Sequence, residues 1–128
     1  MILLDTCTLL WLASDQSKLS VKAKINIESN AGSLFVSAIT AFEIALKCRA
    51  KRLELRLPAM DWFSEALDFH GITELPITSS IAIFAVQLPM LHADPCDRII
   101  IATAQMQAMK ILTCDKLIAQ YKEAEVIW

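Results

Sequence analysis

Short apolar runs alternate with longer stretches of helical periodicity along this chain. The short runs predict strands at residues 2–4, 34–36, 72–75, 110–113 and 126–127. The longer stretches predict helices at residues 7–12, 21–29, from 39 or 40 into the basic segment before Pro58, 60–69, 79–88, 95–109 and 116–121. Strands that alternate with helices form parallel sheets, because each crossover returns the chain in the same direction. We therefore expect an α/β three-layer sandwich, with a central parallel sheet of four or five short strands and helices on both faces.

Local capping signals set several of the helix boundaries. Ser20 and Thr78 are suited to N-cap positions, and Gly71 is suited to the position just after a helix C-terminus. The strongest start signal is Asp94-Pro95, which combines an N-cap side chain with proline at the first helical position. These signals make the helix that begins at residue 95 the most sharply defined element of the prediction.

Composition indicates one compact unit that has partners. The 128 residues are 55% hydrophobic with only two glycines, which suits a single well-packed domain over residues 1–128. This apolar content exceeds what a small monomer easily buries, so we expect another chain to cover part of the surface. The net charge of −2 argues against broad coating by nucleic acid and leaves room for local contact.

Cysteine use and hydropathy indicate a reducing compartment. Cys7, Cys48, Cys96 and Cys114 form no C-x-x-C pair, so free thiols are the simplest interpretation, although a zinc site near the acidic residues remains an alternative. No segment approaches the roughly 20 apolar residues of a membrane helix, and we expect a cytoplasmic protein without membrane contact.

Four acidic residues stand at or just beyond the ends of predicted strands or near the start of the helices that follow them. They are Asp5, Glu43, Asp97 and Asp115. The carboxyl ends of parallel strands line one edge of a sheet, so these side chains are expected to converge. Converging carboxylates repel one another unless a cation holds them, and oxygen ligands suit Mg²⁺ or Mn²⁺. The pattern predicts a metal site.

Helix capping is the competing interpretation of each acid taken alone. Asp94 is a natural N-cap, Asp97 at the third helical position suits the helix dipole, and Asp115 is placed to cap the next helix. We expect Asp94 to act mainly as a cap. Capping alone does not explain why the other acids share one edge of the sheet.

Glu43 and Asp5 differ in how well capping explains them. The spacing Thr40-x-x-Glu43 matches a capping box, in which the glutamate reaches back to the cap backbone. Asp5 follows three apolar strand residues and has no obvious cap partner beyond Thr6. Asp5 is therefore the acid least well explained by capping.

Several other residues are candidates for roles that support the predicted metal site. The hydroxyls of Thr6 and Thr113 are placed to support metal ligands or to satisfy backbone groups. Arg98 is placed to meet a phosphate or to pair with an acid, and Lys47 lies one helical turn from Glu43. We interpret the aromatic residues Trp11, Trp62 and Phe63, and the histidines His70 and His92, as structural.

Four separated motifs together resemble the PIN domain, and in particular the toxin ribonucleases of VapC type. They are Leu3-Leu4-Asp5-Thr6, Glu43-Ile44-Ala45-Leu46-Lys47, His92-Ala93-Asp94-Pro95-Cys96-Asp97-Arg98 and Leu112-Thr113-Cys114-Asp115. The resemblance implies an Mg²⁺-dependent endoribonuclease, with Mn²⁺ as a possible substitute, in which Asp5, Glu43, Asp97 and Asp115 bind metal and are catalytic. It also implies an RNA substrate, a cognate antitoxin and a toxin homodimer. Cys7 departs from the family pattern and is left without a role.

Two other classes of protein share some of these features. A phosphorylatable receiver module has the same length and an acidic Mg²⁺ pocket, but it needs adjoining acids after its first strand and an aspartate after its third. Asp5 has no acidic neighbour, and the third predicted strand leads into Pro76. The other alternative is a PIN scaffold that binds without cutting, against which the complete acidic set argues.

Overall fold

The computed structural model describes residues 1–91 and 93–128. The strands are β1 (Ile2–Leu4), β2 (Leu34–Ser37), β3 (Ile72–Leu75), β4 (Lys110–Leu112) and β5 (Val126–Ile127). The helices are α1 (Thr6–Ser14), α2 (Val21–Ser29), α3 (Ala38–Arg49), α4 (Ala59–His70), α5 (Ser79–Gln87), α6 (Pro95–Met106) and α7 (Lys116–Ala119), with one short 3-10 helix at Gln16–Lys18. All five predicted strands are present. Within the described ranges, no helix is long and apolar enough to span a bilayer.

The five strands form one sheet in the order β3-β2-β1-β4-β5, and every neighbouring pair is parallel. The central strand β1 pairs Leu4 with Val36 of β2 on one side and with Leu112 of β4 on the other. The carboxyl ends of three adjacent strands therefore meet at one edge of the sheet. Residues that directly follow these strands are brought together there.

Both faces of the sheet are covered by helices. Leu3 and Leu4 are fully buried, yet they belong to two different apolar clusters, because successive strand residues point to opposite faces. One cluster includes residues of α1 and α4, and the other includes residues of α5, α6 and α7. The predicted three-layer α/β architecture is confirmed.

Several helix boundaries differ from the sequence prediction by one to three residues, among them the start of α3 and the ends of α6 and α7. Helix α3 begins at Ala38, because the Ser37 side chain accepts the backbone N–H of Ile39 and caps the helix earlier than expected. Helix α6 ends at Met106 and not at residue 109, because Ala108 takes a positive φ of 53° and Met109 N–H bonds back to Ala104. Helix α7 ends at Ala119, two residues early.

The residues interpreted as structural lie mostly where expected. Trp62 and Phe63 are buried, and the ring of Trp11 lies 5.8 Å from that of Trp128. Gly71 adopts the left-handed conformation after α4, with φ of 64°, as predicted. The interpretation of His92 lies outside the described residues.

Candidate metal centre

A cavity of about 220 Å³ opens at the carboxyl edge of the sheet. Its walls come from the ends of β1 and β4, from the first turns of α1 and α6, and from the second and third turns of α3. It is lined by Asp5, Thr6, Cys7, Glu43, Lys47, Asp94, Asp97, Cys114 and Asp115. All four acids that the sequence placed at this edge therefore line one cavity.

Three of the carboxylates lie within metal-binding reach of one another. Glu43, Asp94 and Asp97 each contribute one oxygen, and these oxygens all lie within 4.8 Å of each other. All three side chains are half-buried. Hard oxygen donors at this spacing fit a divalent cation such as Mg²⁺ or Mn²⁺. Asp94 is the N-cap of α6, as predicted, and its carboxylate also belongs to this group.

Asp5 is a buried acid held by two hydrogen bonds. It caps α1, because its Oδ1 accepts the backbone N–H of Thr8 at 2.8 Å, and its Oδ2 accepts the hydroxyl of Thr113. The expectation that Asp5 lacks a cap partner beyond Thr6 is therefore wrong. Burial is the main cause that raises the pKa of Asp5, and the negative charge of Asp115 adds to it. The Thr113 hydroxyl is buried, and its hydrogen bond holds the Asp5 carboxylate in one orientation.

Glu43 projects from the second turn of α3 and does not form the predicted capping box. The helix is capped by Ser37, and Thr40 lies buried inside the first turn. Glu43 Oε1 instead accepts the hydroxyl of Thr6 at 2.6 Å, which joins α1 to α3. Burial raises the pKa of Glu43, and the nearby charge of Asp94 raises it further, whereas the Thr6 hydrogen bond opposes the rise.

The predicted caps at α6 and α7 are confirmed and are compatible with a place in the cavity. Asp94 Oδ1 accepts the backbone N–H of Cys96 at 2.9 Å, and Asp115 Oδ1 accepts that of Leu117 at 2.8 Å. Asp97 lies in the first turn of α6, where a negative charge suits the helix dipole. Capping therefore orients Asp94 and Asp115 at the cavity edge and does not remove them from its lining.

Arg98 does not line the cavity. Its side chain is 9% exposed, and it donates to backbone carbonyls of α5 at Ala85 and Val86. The prediction that Arg98 meets a phosphate or pairs with an acid is therefore corrected. Lys47, by contrast, does line the cavity, one turn beyond Glu43 on α3.

Two cysteines line the cavity beside the acids. Burial raises the pKa of both Cys7 and Cys114, and the charge of Asp5 contributes to each rise. Burial and neighbouring carboxylates also raise the pKa of Cys96 to about 12. Among the described residues, the ligand atoms that lie within metal-binding reach of one another are carboxylate oxygens, so oxygen ligation is favoured over a zinc–thiolate site. Cys7 lies two residues after Asp5, and Cys114 directly precedes Asp115. These positions in the sequence explain why both thiols line the cavity.

Comparison with known proteins shows the family to which this chain belongs. The family model of the PIN domain matches residues 2–124. This chain belongs to the PIN domain family. It is 32% identical over 122 residues to Ribonuclease VapC22 of Mycobacterium tuberculosis, an alignment that covers 94% of this chain and 92% of that protein.

Solved structures with the same fold come from toxin–antitoxin complexes. A DNA-bound VapBC from Salmonella typhimurium matches with a TM-score of 0.70 and 15% identity, covering 98% of this chain and 96% of that one. VapBC2 from Rickettsia felis, bound to a promoter DNA fragment, matches with a TM-score of 0.74 and 12% identity, covering 99% and 98%. A toxin–antitoxin complex from Klebsiella pneumoniae matches with a TM-score of 0.69 and 22% identity, covering 100% and 97%. At these identities the likeness supports the fold.

Proposed function

We propose that this chain is a metal-dependent endoribonuclease of VapC type, the toxin of a type II toxin–antitoxin pair. The observation that carries the proposal is the convergence of Glu43, Asp94 and Asp97 within 4.8 Å in a cavity at the carboxyl edge of a PIN sheet. The relative that is 32% identical over nearly the whole chain is named a ribonuclease. The reaction is hydrolysis of RNA phosphodiester bonds.

The cavity residues divide into a ligand set and supporting groups. Asp97, Glu43 and Asp94 would hold Mg²⁺ or Mn²⁺, with Asp5 and Asp115 completing the acidic wall directly or through water. When bound, such an ion acidifies water and stabilises charge on the phosphate during in-line displacement. The ligand set therefore also places the scissile phosphate at the carboxyl edge of the sheet.

The remaining groups set charge and orientation. Lys47 offsets part of the acidic charge and is positioned to meet an RNA phosphate at the cavity mouth. Thr6 fixes the Glu43 carboxylate, and Thr113 fixes the Asp5 carboxylate. Each hydroxyl restricts its carboxylate to one orientation, which reduces the reorganisation needed on metal binding.

Exposed apolar side chains support the predicted partners. Large apolar residues that are at least half exposed occur on several helices, among them Val21, Phe42, Leu46, Met60, Phe69, Ile83 and Val86. Such side chains on a small protein mark contact surfaces. We assign them to a cognate antitoxin and to a toxin homodimer, and we place the protein in the cytoplasm. The structural relatives that are VapBC complexes support the antitoxin assignment.

The alternative functions fit less well. A receiver module would carry its phosphorylated aspartate after the third strand, but here β3 lies at the sheet edge and is followed by Pro76. A PIN scaffold that does not cut has no need for an acidic set, whereas here all four predicted acids line the cavity. Neither alternative is favoured by a specific observation.

The proposal is tested by incubating the purified chain, freed of any partner, with RNA. We expect cleavage with Mg²⁺ or Mn²⁺ and none in EDTA. Asp97→Asn is expected to abolish cleavage, whereas Asp61→Asn, which changes an exposed acid of α4 outside the cavity, is the matched control and leaves it intact. Cleavage that persists undiminished in EDTA overturns the metal mechanism.

A further inference from the structure

Arg98 makes an unusual set of contacts for a charged residue next to the metal centre. It follows Asp97 in sequence, but its guanidinium lies between α6 and the end of α5. One terminal nitrogen, Nη2, donates to the backbone carbonyls of Ala85 at 2.8 Å, Val86 at 3.0 Å and Leu88 at 3.3 Å. The other, Nη1, lies 2.8 Å from the thioether sulfur of Met90. These contacts span the last turn of α5 and the chain that follows it.

The hydrogen bonds of Arg98 link the C-terminal end of α5 to the first turn of α6. The last carbonyls of an α-helix have no partner within the helix, and a cation placed there also suits the helix dipole. A buried guanidinium is costly unless its N–H groups find acceptors. The terminal nitrogens of Arg98 find such acceptors and place a positive charge at the end of α5, while its Nε is buried and has no hydrogen-bond partner among the described residues. These bonds hold the first turn of α6 against the C-terminus of α5.

The same turn of α6 carries two of the three clustered carboxylates. Arg98 N–H donates to the carbonyl of Asp94 at 3.3 Å, which closes the turn that contains Asp97. Successive helix residues point about 100° apart, so Asp97 and Arg98 project in different directions from one rigid unit. Movement of that unit relative to α5 would move Asp94 and Asp97 relative to Glu43, which belongs to α3.

We propose that Arg98 is a positioning residue for the metal centre, because it anchors the turn that presents Asp94 and Asp97 to Glu43. The inference rests on the proposed metal-dependent function. It assigns Arg98 no contact with metal or RNA. A purely structural role would lower the stability of the fold but would leave metal affinity of the folded protein unchanged.

The experiment measures Mn²⁺ affinity by calorimetric titration of the purified full chain, without RNA, well below each variant's Tm. Arg98→Met keeps an unbranched side chain and removes the donors, and we expect it to weaken Mn²⁺ binding roughly 10- to 100-fold, as loss of a supporting residue around a metal site typically does. Arg98→Gln, which retains one amide donor, is expected to weaken binding in the same direction and serves if the Met variant does not fold. Ile72→Ala is the control, since Ile72 is buried on β3 and does not line the cavity. It should lower Tm while its Kd stays within about twofold of wild type.

The outcomes separate the two proposals. A folded Arg98 variant that binds Mn²⁺ as tightly as wild type overturns the positioning role and leaves the nuclease proposal intact. Equal weakening by Ile72→Ala also overturns it, because lost stability would then explain the effect. Wild type that binds no Mn²⁺ overturns both proposals.

Discussion

The hydroxyl of Thr6 donates a 2.6 Å hydrogen bond to Oε1 of Glu43, although the two residues are 37 positions apart in sequence. The bond links the first residue of α1 to the second turn of α3, across the top of the adjacent strands β1 and β2. Thr40 Oγ1 lies 3.3 Å from the same hydroxyl and helps to fix it. The Glu43 carboxylate is thereby oriented without a metal.

Thr6→Val is predicted to lower RNA cleavage by about tenfold and to shift the acidic limb of the pH–activity profile to higher pH. The hydrogen bond lowers the pKa of Glu43, so its loss lets burial raise that pKa further. Thr6→Ser is the control, because it keeps the hydroxyl. Matching profiles for the Val and Ser variants would show that this bond does not set the protonation of Glu43.

The metal-free protein is predicted to become more stable as the pH falls from neutral toward the ordinary pKa range of carboxyl groups. Burial raises the pKa of both Asp5 and Glu43, so their contribution to stability is fully present below the unfolded values and is lost as pH rises through the folded ones. When the pH is lowered in EDTA, the stability of Asp5→Asn and of Glu43→Gln should therefore increase less than that of wild type. Thermal melts across this range check the difference.

Asp15→Asn is the control for that series. Hydrogen bonding from Ser17 lowers the pKa of Asp15, so its contribution is lost only as pH falls below the ordinary range. This variant should follow wild type as the pH falls from neutral toward the ordinary carboxyl pKa range. Burial lowers the pKa of His70, which opposes the predicted trend in every variant alike, and comparison between variants removes that contribution. Equal slopes for all four proteins would contradict the buried-carboxylate account.

Asp94→Asn is predicted to leave the start of α6 intact while it weakens metal binding. Asparagine caps a helix as well as aspartate does, but it lacks the negative charge that the cluster with Glu43 and Asp97 supplies. Mn²⁺ titration should give a loss of affinity comparable to that of Glu43→Gln, without a fall in Tm. If Asp94→Asn binds Mn²⁺ as tightly as wild type does, Asp94 serves only as the N-cap of α6.

Expression of the chain alone is predicted to arrest growth, and co-expression of a small neighbouring gene is predicted to relieve the arrest. An antitoxin bound to the exposed apolar surface would block access of RNA to the cavity, so relief should coincide with a stable complex. Growth curves and co-purification check this together. Arrest that persists with every adjacent reading frame co-expressed would contradict the toxin assignment.

The fold was largely predictable because its strands are short apolar runs with clear boundaries. The end of α6 was not, since Ala108 adopts a left-handed conformation that alanine rarely takes and no glycine marks the stop. The start of α3 was misjudged because Ser37 and Thr40 are both residue types that cap helices, and the structure shows that the Ser37 side chain accepts the N–H of Ile39.

The sequence alone predicted which acidic residues lie at the carboxyl edge of the sheet, but it did not predict the contacts that individual side chains make there. The topology alone brings Asp5 and Asp115 to one edge, because they follow adjacent parallel strands. The direction of Arg98 depends on how α5 packs against α6, which no local pattern encodes. The capping role of Asp94 was predictable from the sequence, whereas its approach to Glu43 depends on how α3 packs against α6.

The central claim is that the acids form one repelling cluster which a divalent cation stabilises. Thermal melts of wild type and Asp97→Asn, each in EDTA and in Mg²⁺, test it without any substrate. We predict that Asp97→Asn melts higher than wild type in EDTA, because one repelling charge is gone, and that Mg²⁺ raises the Tm of wild type more than that of the variant. A variant that melts lower in EDTA, together with a wild type indifferent to Mg²⁺, would contradict it.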